Sequence, residues 1–369
     1  ADLIVWNLPY LEKNQLEIGL LGPLEDAALI DFSAEGEEGL SKNLRNILQN
    51  NPNVLKKDGL VFLLHTNNER GEMLQRKWRE NGWSTRTIIS TQFDDSELLT
   101  LFATWKPWSG REIITLETID STNKFILNEN LNNGALVVTK NQTEGIGRSG
   151  NKWDEISESF KGSWLLNTYK EEKHLLQVKS ALAVIDSIAL LMNENIPSQS
   201  NLIPNSFITK KIGIKWPNDI IYRTNKLGGI LIQSITKGSS EKYALGIGIN
   251  CGKIETSNEL EYPATSLIEI LEKEINVEKY SKILDTCISS LIEQKTMLPI
   301  NDKNKLQNIW FRLMKESIEK GIYVLSNQIL TKAIGITEKS SLIVQEVNGN
   351  NILPKEITDI DSYTYKINQ

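Results

Sequence analysis

The chain has 369 residues, of which 40% are apolar and 24% charged, and its formal net charge at neutral pH is −6. This length suits two or three domains of ~100–200 residues each. We find no apolar run that predicts a transmembrane helix, and the acidic balance disfavours a general grip on nucleic acid. Two cysteines, Cys251 and Cys287, indicate reduced thiols in a cytoplasmic protein. With only His65 and His174, the sequence predicts no histidine-centred metal site or triad.

The first hundred residues alternate between predicted strands and helices. Apolar runs at 2–6, 60–66, 85–90 and 98–105 predict strands, and leucines at helical spacing predict a helix over 39–50. Such alternation indicates an α/β layer. Because the chain opens on a buried-type strand with neither an initiator Met nor a signal peptide, we expect a fragment.

A short motif follows the first predicted strand at once. Asn7, Pro9 and Tyr10 stand in the sequence Asn-Leu-Pro-Tyr. This spacing resembles the Asn-Pro-Pro-Tyr motif of class I methyltransferases such as the release-factor glutamine methyltransferases. The resemblance implies that the Asn side chain and Pro carbonyl hold a target nitrogen under the Tyr ring. Leu8 departs from the motif, the glycine-rich S-adenosylmethionine loop is missing upstream, and a plain accessory layer is an equal alternative.

The composition of residues 106–110 is that of a linker. Beyond it, Ser121 is predicted to cap a helix that begins at Thr122. The hydroxyls and amide of Ser121, Thr122 and Asn123 could also meet a polar group of a ligand. A central strand then delivers Gln142 to its end.

A polar, glycine-spaced segment at 143–161 is predicted to be a mobile loop that closes over a bound ligand. Gly145 and Gly147 allow its backbone amides to wrap around an anion. Arg148 suits phosphate and carboxylate through its bidentate fork. Trp153 could pack over the closed loop, or alternatively anchor the loop to the core.

The sequence KWPND at 215–219 predicts a cation at a rigid strand end. Lys215 ends a short strand, because Pro217 removes a donor, fixes φ and starts a turn. Asn218 suits that turn, and a strand resumes directly afterwards. A small anionic ligand could be clamped there.

Two apolar strands follow, with glycines inside them. Gly228, Gly229 and Gly248 mark positions where a partner or a ligand could approach the backbone closely. An amphipathic helix on the outside is predicted for 279–295. From about residue 321 short alternating strands predict a small β-barrel.

In this order, the pieces DSTN, QTEGIGRSGNKW, KWPND, KLGGIL and LGIGIN resemble biotin protein ligase over about residues 111–369, and PATSL at 263–267 also resembles that family. The resemblance implies biotin as substrate, ATP with Mg²⁺ for its activation to biotinyl-5′-AMP, and transfer to a lysine of a biotin carboxyl carrier domain. It also admits a homodimer. The family usually has a second loop arginine where this chain has Ile146. The implied site residues are Lys215 and Arg148 for catalysis; Ser121, Thr122, Asn123, Gln142, Gly145, Gly147, Lys215, Gly228 and Gly229 for biotin; and Arg148, Trp153, Asn218 and Asn250 for the nucleotide.

This chemistry needs concentrated positive charge rather than a general base. The acid is already ionised at neutral pH, and its attack on the α-phosphate brings two anions together. Lys215, Arg148, loop amides and nucleotide-bound Mg²⁺ could supply the charge.

We therefore predict an α+β protein of three domains: a partial methyltransferase-like α/β domain at 1–108, a mixed-sheet ligase catalytic domain at 109–318, and a small C-terminal β-barrel at 319–369. It is expected to be cytoplasmic and to bind neither DNA nor membrane. The alternatives are a lipoate-type ligase, a non-catalytic biotin sensor, and a bifunctional protein whose methyltransferase half is completed upstream.

Overall fold

The structure is a computed structural model. It describes residues 1–9, 31, 39–66, 69–92, 98–147, 158–167, 169–194, 211–238, 240–254, 263–299, 302–318, 321–325, 328–347, 354–358 and 363–367. Three residues singled out by the sequence, Tyr10, Arg148 and Trp153, lie outside the described residues.

The chain divides into two compact units. The first comprises residues 1–110 with 282–300, and the second comprises residues 111–281 with 301–369. The division into three domains at 108 and 318 stays a prediction. The compact units differ from it in two respects: residues 282–300 join the first unit rather than the predicted ligase domain, and residues 319–369 belong to the second unit rather than to a unit of their own.

The first unit is built on a four-stranded sheet in the order β1-β2-β4-β3. Its elements before the linker are β1 (Leu3–Asn7), α1 (Gly39–Asn50), β2 (Leu60–Thr66), α2 (Glu69–Glu80), β3 (Ser84–Gln92) and β4 (Leu98–Trp105). β1 and β2 are parallel, and β4 is antiparallel to both of its neighbours. The strands and helix predicted here are confirmed. One correction concerns β1, which is half-exposed because β2 is its only partner among the described residues; Val5 is 66% exposed.

Both faces of this sheet are covered. α1 and α2 pack on one face in a cluster that includes Leu48, Val61, Leu63, Met73, Leu74, Trp78, Trp83 and Phe102. Leu298 packs on the other face, with Leu60, Ala103 and Trp105.

The helix predicted on the outside at 279–295 is α6 (Val277–Ile292), and that expectation is wrong. Leu284, Cys287 and Ile288 are fully buried. Arg86 holds the end of the helix, since its Nη2 donates to the carbonyls of Ser290 and Glu293, both at 2.9 Å. The helix itself is present, but its apolar and polar side chains alike find partners.

The second unit is built on a mixed seven-stranded sheet in the order β5-β6-β7-β11-β10-β9-β8. β5 and β6 are parallel, and the other pairs are antiparallel. Its strands are β5 (Ile113–Ile119), β6 (Leu136–Gln142), β7 (Ser159–Leu166), β8 (Ile212–Lys215), β9 (Asp219–Tyr222), β10 (Asn225–Lys237) and β11 (Ser240–Asn250). Its helices are α3 (Thr122–Asn128), α4 (Lys173–Leu191), α5 (Leu267–Leu271), the start of α6, and α7 (Lys303–Ile318). This mixed α+β architecture agrees with the predicted fold class.

The two faces of the seven-stranded sheet are covered differently. α3 packs on one face in a cluster of Ile126, Leu127, Val137, Leu165 and Ala244. On the other face Phe160 contacts the Tyr280 ring, with ring centroids 6.1 Å apart, and the Tyr280 hydroxyl lies 3.1 Å from Ser187 Oγ of α4. Seven residues of α3 extend only ~10 Å, so this helix covers part of its face.

α4 has the length and composition of a membrane span, which corrects the expectation that no such run exists. Inside the protein, however, 83% of its most apolar window is buried. α4 is therefore the core helix of the second unit.

The described C-terminal strands form a five-stranded antiparallel sheet in the order β15-β14-β13-β12-β16. They are β12 (Gly321–Leu325), β13 (Leu330–Ile336), β14 (Leu342–Glu346), β15 (Lys355–Ile357) and β16 (Tyr363–Ile367). β15 and β16 lie at opposite edges of this order, so a closed barrel stays a prediction.

Candidate active site

One face of the seven-stranded sheet carries a row of five residues from five neighbouring strands. Lys215 pairs with Asp219, and Asp219 with Gly229. Gly229 pairs in turn with Gly248, and Gly248 with Lys161. Directly paired residues project from the same face, so the row reads Lys-Asp-Gly-Gly-Lys over four strand spacings, about 19 Å. The two glycines leave the backbone bare between charged ends. We call the face of the sheet that carries this row the site face.

The strand-end lysine is placed as the sequence predicts. Lys215 is the last residue of β8, and β9 begins at Asp219 after a short turn. The Trp216–Pro217 peptide bond in this turn is cis. Trp216 is buried, and its Nε1 donates to the Ser340 carbonyl at 2.9 Å.

Lys215 belongs to a three-residue ionic group. Its Nζ lies 3.3 Å from Asp219 Oδ2, and Lys226 Nζ lies 3.0 Å from Asp219 Oδ1. The side chains of Lys215 and Asp219 are 14% and 12% exposed, and that of Lys226 is 34% exposed. One carboxylate is thus shared by two ammonium groups, which leaves the group with a net positive charge.

A polar cluster lies at the beginning of α3, on the same face. Gln142 Oε1 accepts hydrogen bonds from Thr122 N at 2.8 Å and from Thr122 Oγ1 at 3.1 Å. Ser163 Oγ lies 2.8 Å from Thr122 Oγ1. Because these bonds occupy Gln142 Oε1, the amide N–H groups are what this half-buried side chain can offer to a ligand oxygen.

Asn123 supports the cluster from beneath. Its Nδ2 donates to Gln233 Oε1 at 2.8 Å and to the Leu231 carbonyl at 3.2 Å, and its Oδ1 accepts from Ser163 Oγ at 2.6 Å. Gly246 must lack a side chain here, since a Cβ would lie 2.4 Å from Asn123 Oδ1. These contacts give Asn123 a supporting position, whereas the sequence predicts a contact with the ligand.

Ser121 caps α3, as predicted: its side chain accepts from Lys124 N at 3.5 Å. The residue before it is also engaged, because Asp120 Oδ1 accepts from Ser121 N at 2.7 Å. That hydrogen bond and the Lys124 ammonium lower the pKa of the Asp120 carboxyl below its ordinary value.

Asn218 and Asn250 are both buried near the lysines. Asn218 Nδ2 donates to the Ile230 carbonyl at 3.0 Å, which joins the turn after β8 to β10. Asn250 Nδ2 donates to the carbonyls of Thr265 at 3.0 Å and Lys226 at 3.3 Å. Asn250 Oδ1 is buried without a hydrogen-bond partner in the described part of the chain. Such an acceptor costs about 1–3 kcal/mol, which an N–H donor on a ligand would offset.

Gly228 projects from the opposite face to Gly229. A Cβ on Gly228 would lie 2.5 Å from both the Gly248 carbonyl oxygen and Ile249 Cδ1. Close packing within the sheet therefore accounts for this glycine, and the surface for a ring lies over Gly229 and Gly248.

The remaining predicted residues are only partly placed. Gly145 is buried, Gly147 is half-buried, and Ile146 between them is 49% exposed. Arg148 and Trp153 lie outside the described residues, so their approach to the site stays a prediction. In the first unit, Asn7 ends β1 and Pro9 is buried, while Tyr10 is likewise outside the description.

Several residues of the site are not predicted by the sequence. In the sequence Asp219 is explained by turn geometry alone, yet in the structure its carboxylate pairs with both Lys215 and Lys226. Lys226 opens the KLGGIL segment, and its neighbouring glycines could have drawn attention to it. Ser163 and Gln233 carry no local signal, because only the strand pairing brings them to Asn123.

The arrangement suits a small molecule with a polar head, a flat body and an anionic end. Hydroxyls and an amide lie at one side, bare backbone lies in the middle, and ammonium groups lie at the far edge of the sheet. The fold and site together define an α+β domain with a sheet face whose side chains and bare backbone suit such a molecule.

Comparison with known proteins is consistent with this class. Residues 115–250 match the Biotin/lipoate A/B protein ligase family. The biotin–[acetyl-CoA-carboxylase] ligase of Paracoccus denitrificans is 24% identical over 248 residues, which are 65% of this chain and 96% of the relative. The bifunctional ligase/repressor BirA of Escherichia coli is 25% identical over 253 residues, 65% of this chain and 73% of the relative. The solved biotin protein ligase of Aquifex aeolicus in complex with biotin and ATP has a TM-score of 0.52 at 24% identity and covers 70% of this chain and 99% of its own.

Residues 115–250 of this chain are thus similar to the Biotin/lipoate A/B protein ligase family. The resemblance to biotin protein ligase drawn from the sequence is confirmed, and the Aquifex likeness shows the shared fold. The methyltransferase resemblance of residues 1–108 stays a prediction.

Proposed function

We propose that the chain is an ATP-dependent biotin protein ligase. It forms biotinyl-5′-AMP and transfers biotin to a lysine of a biotin carboxyl carrier domain. The row of residues on the site face supports this most directly. Hydroxyls and the Gln142 amide suit a ureido oxygen, the bare backbone at Gly229 and Gly248 suits a fused ring, and Lys215 suits a carboxylate.

In the first half-reaction a biotin carboxylate oxygen attacks the α-phosphorus of ATP. The new P–O bond forms as the bond to pyrophosphate breaks, and pyrophosphate leaves with the electron pair. Lys215 reduces the repulsion between the two anions, and Arg148 supplies further positive charge. No proton is transferred, because the acid is already ionised.

The nucleotide would lie toward Asn250. Its buried Oδ1 fits an N–H donor such as the adenine amino group. Mg²⁺ would arrive on the nucleotide phosphates and add positive charge there. The described residues hold no group of three or more His, Cys, Asp or Glu placed around a metal ion, so its oxygen ligands would come mainly from phosphate and water.

In the second half-reaction the uncharged carrier lysine attacks the carbonyl carbon of the mixed anhydride. The amide bond forms, AMP leaves with the electron pair of the broken C–O bond, and the proton lost from the amine nitrogen passes to solvent. Lys215 stabilises the phosphate as it leaves. We propose a cytoplasmic location for this reaction, since both cysteines are free thiols.

A lipoate-type ligase is the nearest alternative, because the matched family includes lipoate ligases. The two substrates differ in the polar head, and lipoate has no ureido group for the Gln142 cluster. A non-catalytic biotin sensor is the alternative from another class, and it predicts binding without turnover.

ATP–pyrophosphate exchange distinguishes these functions. The purified protein is assayed with biotin, with lipoate and without an acid. We expect exchange that requires biotin and falls on the order of 10²–10³-fold in Lys215→Ala. Lys140→Met, which removes an exposed lysine paired with Glu117 at 2.9 Å, serves as a control and should leave the rate unchanged. Exchange with lipoate instead would overturn the substrate, and biotin binding without exchange would favour the sensor.

A further inference from the structure

β10 begins with a β-bulge that changes the direction of one lysine. In the pairing with β9, Lys226 lies opposite Ile221 and Gly228 lies opposite Ile220, so Leu227 is the extra residue. Side chains alternate along a regular strand, and without this residue Lys226 would project from the face of Gly228. The bulge instead brings Lys226 to the site face, where its Nζ lies 3.0 Å from Asp219. Bulges beside active sites commonly redirect a side chain in this way.

The backbone of Lys226 is fixed by a neighbouring segment. Its N–H donates to the Pro263 carbonyl at 2.8 Å, and its carbonyl accepts from Thr265 N at 2.9 Å. The buried amide of Asn250 donates to the same carbonyl at 3.3 Å. The PATSL sequence at 263–267 therefore holds the bulge in place.

The charges explain why such a device is useful. The proposed chemistry depends on the side chain of Lys215. Asp219 Oδ2 lies 3.3 Å from the Nζ atom of that lysine. A carboxylate at this distance would by itself cancel the positive charge that Lys215 presents to an anionic substrate. Lys226 on the other carboxylate oxygen balances that negative charge, so the group of three keeps one net positive charge.

We propose that Lys226 is a positioning residue for the ligase reaction, acting through Asp219 to keep the charge of Lys215 available to the substrate. The inference rests on the proposed function. Asp219 orients Lys215, and Lys226 compensates the charge of Asp219. The bulge, the PATSL segment and the Asn250 amide together hold Lys226 at that place.

The test is a double-mutant cycle in biotin-dependent ATP–pyrophosphate exchange. Lys226→Met should lower kcat/KM on the order of 10- to 100-fold, mainly through a higher KM for biotin, because one charge at close range is lost in a partly buried site. Lys226→Arg should retain activity within a few-fold. In Asp219→Asn/Lys226→Met the group again has one net positive charge, now carried by Lys215 alone, so the double variant should be clearly more active than Lys226→Met. Lys140→Met serves as the surface control.

A merely structural role of Lys226 predicts the opposite result, a double variant that is no more active in exchange than Lys226→Met. That result would overturn the inference. Wild-type kinetics in Lys226→Met would overturn it as well. The melting temperature of every variant shows whether it is folded. Should Lys226→Met fail to fold, Asp219→Asn alone decides. It should not raise the KM for biotin, whereas a rise as large as that of Lys215→Ala contradicts the charge argument.

The wild-type protein separates this inference from the proposed function. If it shows no biotin-dependent exchange, the proposed function fails. Calorimetric binding of biotin to the same variants then decides the inference. The double variant should bind biotin more tightly than Lys226→Met, and the reverse order or no binding to any variant overturns it.

Discussion

Gly246 lies beneath Asn123, and we expect Gly246→Ala to break up the polar cluster at the start of α3. A Cβ on Gly246 would lie 2.4 Å from Asn123 Oδ1 and 2.9 Å from Nδ2, well inside van der Waals contact. A rotation of the Asn123 side chain has a cost, because its amide group forms hydrogen bonds with Ser163, Leu231 and Gln233. The substitution therefore forces a choice between a clash and the loss of these hydrogen bonds.

The expected cost follows from the three bonds. At about 1 kcal/mol for each hydrogen bond, Gly246→Ala should lower the free energy of unfolding of the second unit by about 2–3 kcal/mol. Urea unfolding would measure this loss, and the KM for biotin should rise because Ser163 also contacts Thr122. Gly335→Ala is a matched control in β13, where the nearest atom would be Ile343 Cδ1 at 3.6 Å, an ordinary contact. Its effect should stay within ~0.5 kcal/mol.

A double-mutant cycle tests the reasoning itself. In an Asn123→Ala background the clashing amide is gone, so adding Gly246→Ala should cost less than about 0.5 kcal/mol. If Gly246→Ala costs as much in that background as in the wild type, the stated contact is not the cause and the reasoning is refuted.

Two further predictions concern the buried aromatic and imidazole groups. Trp216→Phe should destabilise the second unit by about 1 kcal/mol beyond the loss of ring area, because the Ser340 carbonyl loses its donor. Urea unfolding measures this loss, and Trp83→Phe is the control, because the indole nitrogen of Trp83 has no described hydrogen-bond partner. Equal losses of stability in the two variants would argue against a contribution from the Trp216 hydrogen bond. Burial lowers the pKa of His65 below 6.5 in the folded protein, so the unfolded chain binds the proton more readily and stability should fall as the pH drops through ~6.5 toward the lower folded value. Urea midpoints between pH 7.5 and 5.5 should show this fall, and a His65→Asn variant with the same pH dependence would contradict it.

The parts of the site that lie close together in sequence could be predicted. The cap at Ser121 and the strand end at Lys215 follow from local backbone preferences, and the structure confirms both. The glycine-bearing strands could also be recognised, because glycine weakens an apolar strand and so marks a place where another group approaches the backbone closely. The local signal does not, however, say which face each glycine serves.

Face and partner depend on register, which is a property of the whole sheet. Gly228 and Gly229 are adjacent, yet one serves packing and the other the site face. Lys226 reaches the site only through a bulge whose presence no alternation pattern indicates. The helix at 279–295 shows the same limit, since its amphipathic pattern does not reveal how many elements of the first unit surround it.

The structure also explains why KWPND works as one piece. Lys215 is held by Asp219, Trp216 by the Ser340 carbonyl, and Asn218 by the Ile230 carbonyl. Each of these contacts leads to a different element: β9, the turn between β13 and β14, and β10. A long, flexible lysine side chain normally loses conformational entropy when a substrate fixes it. Here much of that loss has already occurred on folding, so the ammonium group is positioned in advance for an anion whose reaction depends on charge and orientation.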